Sequence, residues 1–137
     1  MPAERVVDAS VVAAAFFDEV ATPRAQAALR RNNRLVAPDL LLVEMASIAS
    51  SKVRRQLSTS TLAEQVLVQA NGLVAEFVPS NDHYRRAFSL AAEHGVSAYD
   101  GLYLALAEAR GVPMITADEK LIRRANACGL SALVESI

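Results

Sequence analysis

The sequence predicts an α/β fold, a three-layer α/β/α sandwich around a central, mainly parallel five-stranded sheet. Short runs of β-branched and apolar residues recur along the whole chain, stretches with helical apolar spacing separate them, and capping residues, prolines and glycines mark where those stretches begin and end. Strands that alternate with helices are joined by right-handed crossovers, so the sheet is parallel and covered on both faces.

Arg5-Val6-Val7 reads as the first strand, stopping at Asp8, and a helical stretch runs from Ser10 towards Asp18. Thr22-Pro23 starts a second helix, a hydroxyl cap followed by proline in the first turn, which reaches about Arg31. Leu35-Val36 is the second strand, ended by Ala37-Pro38, and Pro38 opens a long helix to about Lys52 or Arg55. Thr59 or Ser60 caps a fourth helix that Asn71-Gly72 ends, and residues 75–78 form the third strand. Ser80 caps a fifth helix whose buried face carries Tyr84, Ala87, Phe88, Ala91 and Ala92, and Gly95 stops it. A sixth helix spans about Ala98 to Arg110, with Gly111 just past its end. Met114-Ile115-Thr116 is the fourth strand, Asp118 opens a seventh helix, and residues 132–134 are the last strand. No repeat, low-complexity segment or linker divides the chain, so residues 1–137 read as a single domain.

Composition narrows the function classes. The chain is 53% hydrophobic but only 5% aromatic, so Ala, Val and Leu build the core. Charges interrupt every apolar stretch well short of the roughly 20 residues a membrane span needs. Asp8 arrives before an export signal could form, and a cytoplasmic location is expected. The lone Cys128 excludes an internal disulfide or a thiolate cluster and reads as a buried structural thiol. A net charge of -1 means that any nucleic-acid contact is local. Arg30, Arg31 and Arg34, and Lys52, Arg54 and Arg55, are basic clusters that suit helix ends and phosphate binding equally.

Four acids stand in apolar company. Asp8 follows Val6-Val7, and Glu44 shares a helix face with Leu41 and Ile48. Asp100 shares one with Tyr103, Leu104 and Ala107, and Asp118 leaves the fourth strand. Asp8 and Asp118 read equally as helix N-caps, and Asp100 as a carboxylate at a helix start. For Glu44, well inside its helix, the comparable alternative is a buried ion pair, and cations are scarce nearby. A helix of about 11 residues from Asp100 travels roughly 16 Å and a strand of about four residues returns roughly 13 Å, so Asp100, Asp118 and Asp8 meet at the carboxyl edge of the sheet. That edge is where open parallel sheets bind ligands. A buried carboxylate needs a partner, and carboxylates without matching cations suit hard divalent ions. No Cys or His neighbours these acids, which disfavours zinc, and His83 and His94 read as surface residues. Ser10 and Thr116, each two residues from an acid, are placed to orient a carboxylate or a water.

These segments resemble the motifs of PIN-domain nucleases, and among them the VapC-type toxins. Val7-Asp8-Ala9-Ser10 is similar to the first motif and Pro38-Asp39-Leu40-Leu41-Leu42-Val43-Glu44 to the second. Tyr99-Asp100-Gly101-Leu102-Tyr103-Leu104-Ala105-Leu106-Ala107 is similar to the third and Ile115-Thr116-Ala117-Asp118-Glu119-Lys120-Leu121 to the fourth. Four motifs in order, over nearly the whole chain, make the resemblance specific. It implies a central first strand, an acidic pocket of Asp8, Glu44, Asp100 and Asp118, and cleavage of RNA with Mg²⁺ or Mn²⁺. It also implies a homodimer, silenced by a cognate antitoxin whose tail covers the pocket. Glu119 and Lys120 occupy the place where the family's pattern can carry further acids. Arg54 and Arg55 are the candidate RNA contacts. A non-catalytic module with the same fold and a related DNA nuclease are the competing readings. A phosphoacceptor receiver lacks its early adjacent acids here, and a dehalogenase-like phosphatase lacks its second aspartate, since Ser10 stands in that place.

Overall fold

A computed structural model describes residues 4–31 and 34–137. Five strands, β1 (Glu4–Val7), β2 (Arg34–Pro38), β3 (Glu76–Val78), β4 (Met114–Thr116) and β5 (Val134–Ser136), form one sheet in the order β3-β2-β1-β4-β5. Every neighbouring pair is parallel, with Val6 beside Val36 on one side and Met114 on the other. The helices are α1 (Ala9–Phe16), α2 (Thr22–Arg31), α3 (Leu40–Arg54), α4 (Ser60–Leu73), α5 (Tyr84–His94), α6 (Ala98–Arg110) and α7 (Glu119–Ala127). This is the expected α/β sandwich. Right-handed crossovers place α1 to α4 on one face and α5 to α7 on the other. None of these helices is long and apolar enough to cross a membrane.

The three inner strands are apolar because both their faces are covered. Val6, Val7, Leu35, Val36, Ala37, Met114 and Ile115 are all buried. Small residues let the helices approach closely. A β-carbon on Gly101 of α6 would stand 2.6 Å from the carbonyl oxygen of Ala87 on α5, so that crossing admits no side chain. At the amino edge of the sheet, Arg34 bonds Glu4 and Glu76, each at 2.9 Å, and Arg110 bonds Glu76 at 2.5 Å. Arg34 is thereby a clasp across three strands, far from the carboxyl edge, and not a free phosphate ligand.

Several boundaries differ from expectation. Pro38 ends β2 instead of opening α3, which starts at Leu40. Gly72 does not break α4, which continues to Leu73. Ser80 caps no α-helix; it opens a 3-10 turn, Ser80–Asp82, and its hydroxyl donates to Asp39 at 2.5 Å. The buried face of α5 is Ala87 and Leu90, while Tyr84 and Phe88 are 53% and 71% exposed and Ala92 is exposed too. Apolar spacing alone leaves two candidate stripes on that helix, and packing against α6 selects the narrower one. Residues 131–133 form a 3-10 turn, and the last strand lies two positions later than expected. Cys128 is half-buried at the end of α7, not sealed in the core.

Candidate active site

The strand order reverses between β1 and β4, which opens a crevice at the carboxyl edge. Asp8 follows β1 directly, with its amide donating to the Ile115 carbonyl of β4 at 3.1 Å. Asp118 lies two residues beyond β4, Glu44 in the second turn of α3 and Asp100 in the first turn of α6.

Asp8 is held by hydroxyls from two directions. Thr116 donates to Oδ2 at 2.6 Å, Ser10 Oγ donates to the same oxygen at 3.1 Å, and the Ser10 amide reaches Oδ1 at 3.3 Å. Thr116 is fully buried, and it is the only buried polar residue among those described. Its hydroxyl also accepts from the Asp118 amide at 3.0 Å, while Ser10 Oγ accepts from the Ala117 amide at 3.1 Å. Ser10 and Thr116 therefore both bond the Asp8 carboxylate, and they tie the ends of β1 and β4 together. Both N-cap readings also hold. Asp8 caps α1, and Asp118 Oδ1 accepts from the amides of Lys120 and Leu121 at 3.0 and 3.2 Å.

Glu44 has a partner that the sequence reading did not single out. The hydroxyl of Tyr103, 1% exposed, donates to Glu44 Oε1 at 2.6 Å. Only the expectation that Tyr103 shares a face with Asp100 hinted at this. Ser97 caps α6 by accepting the amide of Asp100 at 3.0 Å.

The electrostatics are those of unpaired acids. Burial, then the charge of Asp118, raises the Asp8 carboxyl above its ordinary range, and the bonds from Thr116 and Ser10 offset this only in part. Burial raises Glu44, with Asp8 and Asp100 adding repulsion against the pull of Tyr103. Burial and then Asp8 raise Asp100, with a smaller push from Asp118. Burial, then the charge of Glu44, drives the Tyr103 hydroxyl far above its usual range, so it stays a donor. Among the described residues no lysine, arginine or histidine forms an ion pair with any of the four acids.

The donor set therefore fits a hard divalent cation in its chemistry, being all oxygen, multiply negative and free of cationic partners. The side chains are not drawn into a closed shell, for no three His, Cys, Asp or Glu among the described residues stand close enough together to hold one ion. Asp8, Glu44 and Asp118 each lean instead on their own donors. Glu44 Oε2 and Asp118 Oδ2 accept no hydrogen bond from the described residues.

Beside the acids lies a cleft of about 730 Å³, lined by Asp100, Asp118, Ser97, Lys120, Arg123 and Arg124 among others. His83 and His94 are half-buried, not surface residues, and neither lines this cleft. Arg54 bonds Ser50 at 3.4 Å on its own helix and lines an apolar groove between α3 and α4. Arg55 lines a separate recess with Ser10 and Lys52. Lys52 is itself paired with Glu19 at 3.5 Å.

A family model described as the PIN domain matches residues 5–127. Ribonuclease VapC3 of Pyrobaculum aerophilum is 33% identical over 124 residues, which cover 87% of this chain and 92% of the relative. Ribonuclease VapC12 of Mycobacterium tuberculosis is 36% identical over 118 residues, covering 85% and 88%. Among solved structures, PAE2754 of Pyrobaculum aerophilum superposes with a TM-score of 0.71 at 20% identity, covering 98% of this chain and 92% of that one. VapBC2 of Rickettsia felis, bound to a DNA fragment from its promoter, gives 0.67 at 13% identity, covering 98% of both chains. At these identities the solved structures speak for the fold alone.

Proposed function

The chain belongs to the PIN-domain family, among its VapC-type members, and from that premise we propose that it is a divalent-metal-dependent endoribonuclease, the toxin of a toxin–antitoxin pair. The observation that carries the reading is the convergence of four carboxylates on one sheet edge, with no cation among the described residues paired to any of them. Relatives named as ribonucleases support the reaction class.

Asp8, Glu44, Asp100 and Asp118 would hold Mg²⁺ or Mn²⁺. Such an ion, when bound, supplies Lewis-acid polarisation of the scissile phosphate and activation of water. The protein's own part is to position. Thr116 and Ser10 fix the rotation of the Asp8 carboxylate, Tyr103 fixes Glu44, and the first amides of α7 fix Asp118. None of these acids needs to be the nucleophile.

A cognate antitoxin and a second copy of the chain are the partners we assign. The unpaired acids would attract an arginine or lysine from the antitoxin, and the Rickettsia felis neighbour is an assembly named VapBC2. The reading is tested by incubating total RNA with the full chain, with Mg²⁺ or Mn²⁺ and with EDTA. Cleavage is expected with metal only and is expected to be lost in Asp8→Asn. Equal cleavage in EDTA, or by the variant, would overturn the acidic-site reaction.

A further inference from the structure

We infer that the exposed face of α7 carrying Lys120, Arg123 and Arg124 is the phosphate-binding wall that holds the RNA strand beside the acid pocket. This inference deepens the ribonuclease reading and rests on it.

The argument begins with a conflict. A polyanion brought to four unpaired carboxylates is repelled, and a chain with a net charge of -1 offers no general positive field to overcome that. Compensating cations therefore have to stand at the site itself. In the cleft shared with Asp100 and Asp118, three cations face two acids. Lys120, Arg123 and Arg124 follow the i, i+3, i+4 spacing that puts side chains on one helical face, while Leu121 and Ala125 turn to the core. α7 starts at the pocket because Asp118 caps it, so Arg124 lies only about 9 Å along the axis from that acid.

Two further observations bear on these cations. Lys120, Arg123 and Arg124, like Arg54 and Arg55, form no ion pair among the described residues, but only the α7 group lines the cleft with Asp100 and Asp118. Lys120 also sits in the first turn of its helix, where the positive end of the dipole disfavours a cation. Helix stability does not account for a lysine there; a bound anion would. Arg124 reaches over the cleft, with one guanidinium nitrogen 3.2 Å from where a β-carbon on Gly95 would stand. The cleft, about 730 Å³, lies within the range of pockets that take a ligand of nucleotide size.

Arg54 and Arg55, the candidates from sequence, are the natural comparison, because neither lines the cleft with Asp100 and Asp118. The test titrates a short fluorescent single-stranded RNA with the full chain in EDTA at several salt concentrations, reading anisotropy. For two phosphate contacts, Arg123→Gln/Arg124→Gln should make the slope of log affinity against log salt shallower by about 1.4, which is roughly a 25-fold loss at about 0.1 M salt if the lines meet near 1 M. Arg123→Lys/Arg124→Lys should keep the parent slope, since it keeps the charge, and Arg54→Gln/Arg55→Gln should keep it too. The substituted residues are exposed, and unchanged thermal melts would establish that the variants fold. An unchanged slope in the α7 glutamine variant, or the loss appearing in the α3 variant instead, would overturn the wall. Parent cleavage of RNA with metal alongside that unchanged slope would leave the ribonuclease reading standing. Parent binding with the expected slopes but no metal-dependent cleavage would do the reverse, and no RNA binding by the parent would overturn the wall.

Discussion

Replacing Asp100 with Asn separates a metal ligand from a helix-start carboxylate. The amide keeps the shape, and Ser97 still caps α6 through the backbone amide of residue 100, so the helix start is preserved. A carboxylate in the first turn ordinarily gains about 0.3–1 kcal/mol from the dipole. Here that gain is already outweighed, because burial and the charge of Asp8 hold the carboxyl above its ordinary range. Removing the charge in EDTA should therefore leave the melting temperature equal to or above the parent's. Metal reverses the order. An ion that binds only the folded protein stabilises it by about 2.7 kcal/mol at a hundredfold excess over its dissociation constant. For a chain of this length that is a rise of roughly 10 °C. Asp100→Asn should lose most of it. Melts of both proteins in EDTA and in Mn²⁺ decide the matter without knowledge of the RNA. A full metal-induced rise retained by Asp100→Asn would refute Asp100 as a ligand, and a lower melting temperature in EDTA would restore the dipole as its main role.

Tyr103→Phe should weaken Mn²⁺ binding about 10- to 100-fold, as loss of a ligand's orienting hydrogen bond does, and cost about 1.5 kcal/mol of stability, the low end for a bond to a charged group that water can still reach. Calorimetry with Mn²⁺ checks it, and unchanged affinity would release Tyr103 from any positioning role. Gly101→Ala should destabilise by about 1–3 kcal/mol, because its β-carbon would meet the Ala87 carbonyl and force α5 away from α6; a thermal melt that matched the parent's would deny the close crossing. The pH dependence has a defined sign. Asp8, Glu44 and Asp100 have raised carboxyls, so the folded protein takes up protons before the unfolded chain does. Their contribution to stability is full below the unfolded values and is lost as pH rises through the folded ones. In EDTA the melting temperature should rise from about pH 7 to about pH 5, and less so in Asp8→Asn; a fall in the parent over that window would contradict the raised carboxyls.

What the sequence made legible follows physical range. Strand and helix placement rests on local periodicity and caps, and the inner strands, the cap at Asp8 and the glycine end at Gly111 lie where those signals place them. The candidate acids were legible because a carboxylate among apolar neighbours is costly, and that cost shows in the chain itself. Three features needed the fold. The bond from Tyr103 to Glu44 joins residues 59 positions apart. The burial face of α5 is decided by the approach of Gly101 on α6, since Tyr84 and Phe88 fit helical spacing as well as Leu90 does. The cations beside the acids lie in an amphipathic helix whose sequence reads as an ordinary solvated face until β4 delivers its start to the pocket. Arg54 and Arg55 drew attention only as neighbours in sequence.

The absence of ion pairs at the acid edge among the described residues is a matter of placement and not of supply. The chain carries 14 lysines and arginines against 15 aspartates and glutamates, enough to pair nearly every acid. At the amino edge the pairing is dense, where Arg34 and Arg110 bind Glu4 and Glu76 across three strands and the end of α6. At the carboxyl edge Asp8, Glu44 and Asp118 receive hydroxyl or amide donors instead, which orient a carboxylate without neutralising it. Hydroxyls suit a site that must present negative charge, because an arginine in their place would fill the coordination positions and lower the carboxyl it touched. Lys120, Arg123 and Arg124 on α7 make no ion pair with the acids but line the same cleft as Asp100 and Asp118. That separation suits the proposed reaction on a phosphodiester, in which one surface would collect a divalent ion and an adjacent one the phosphates.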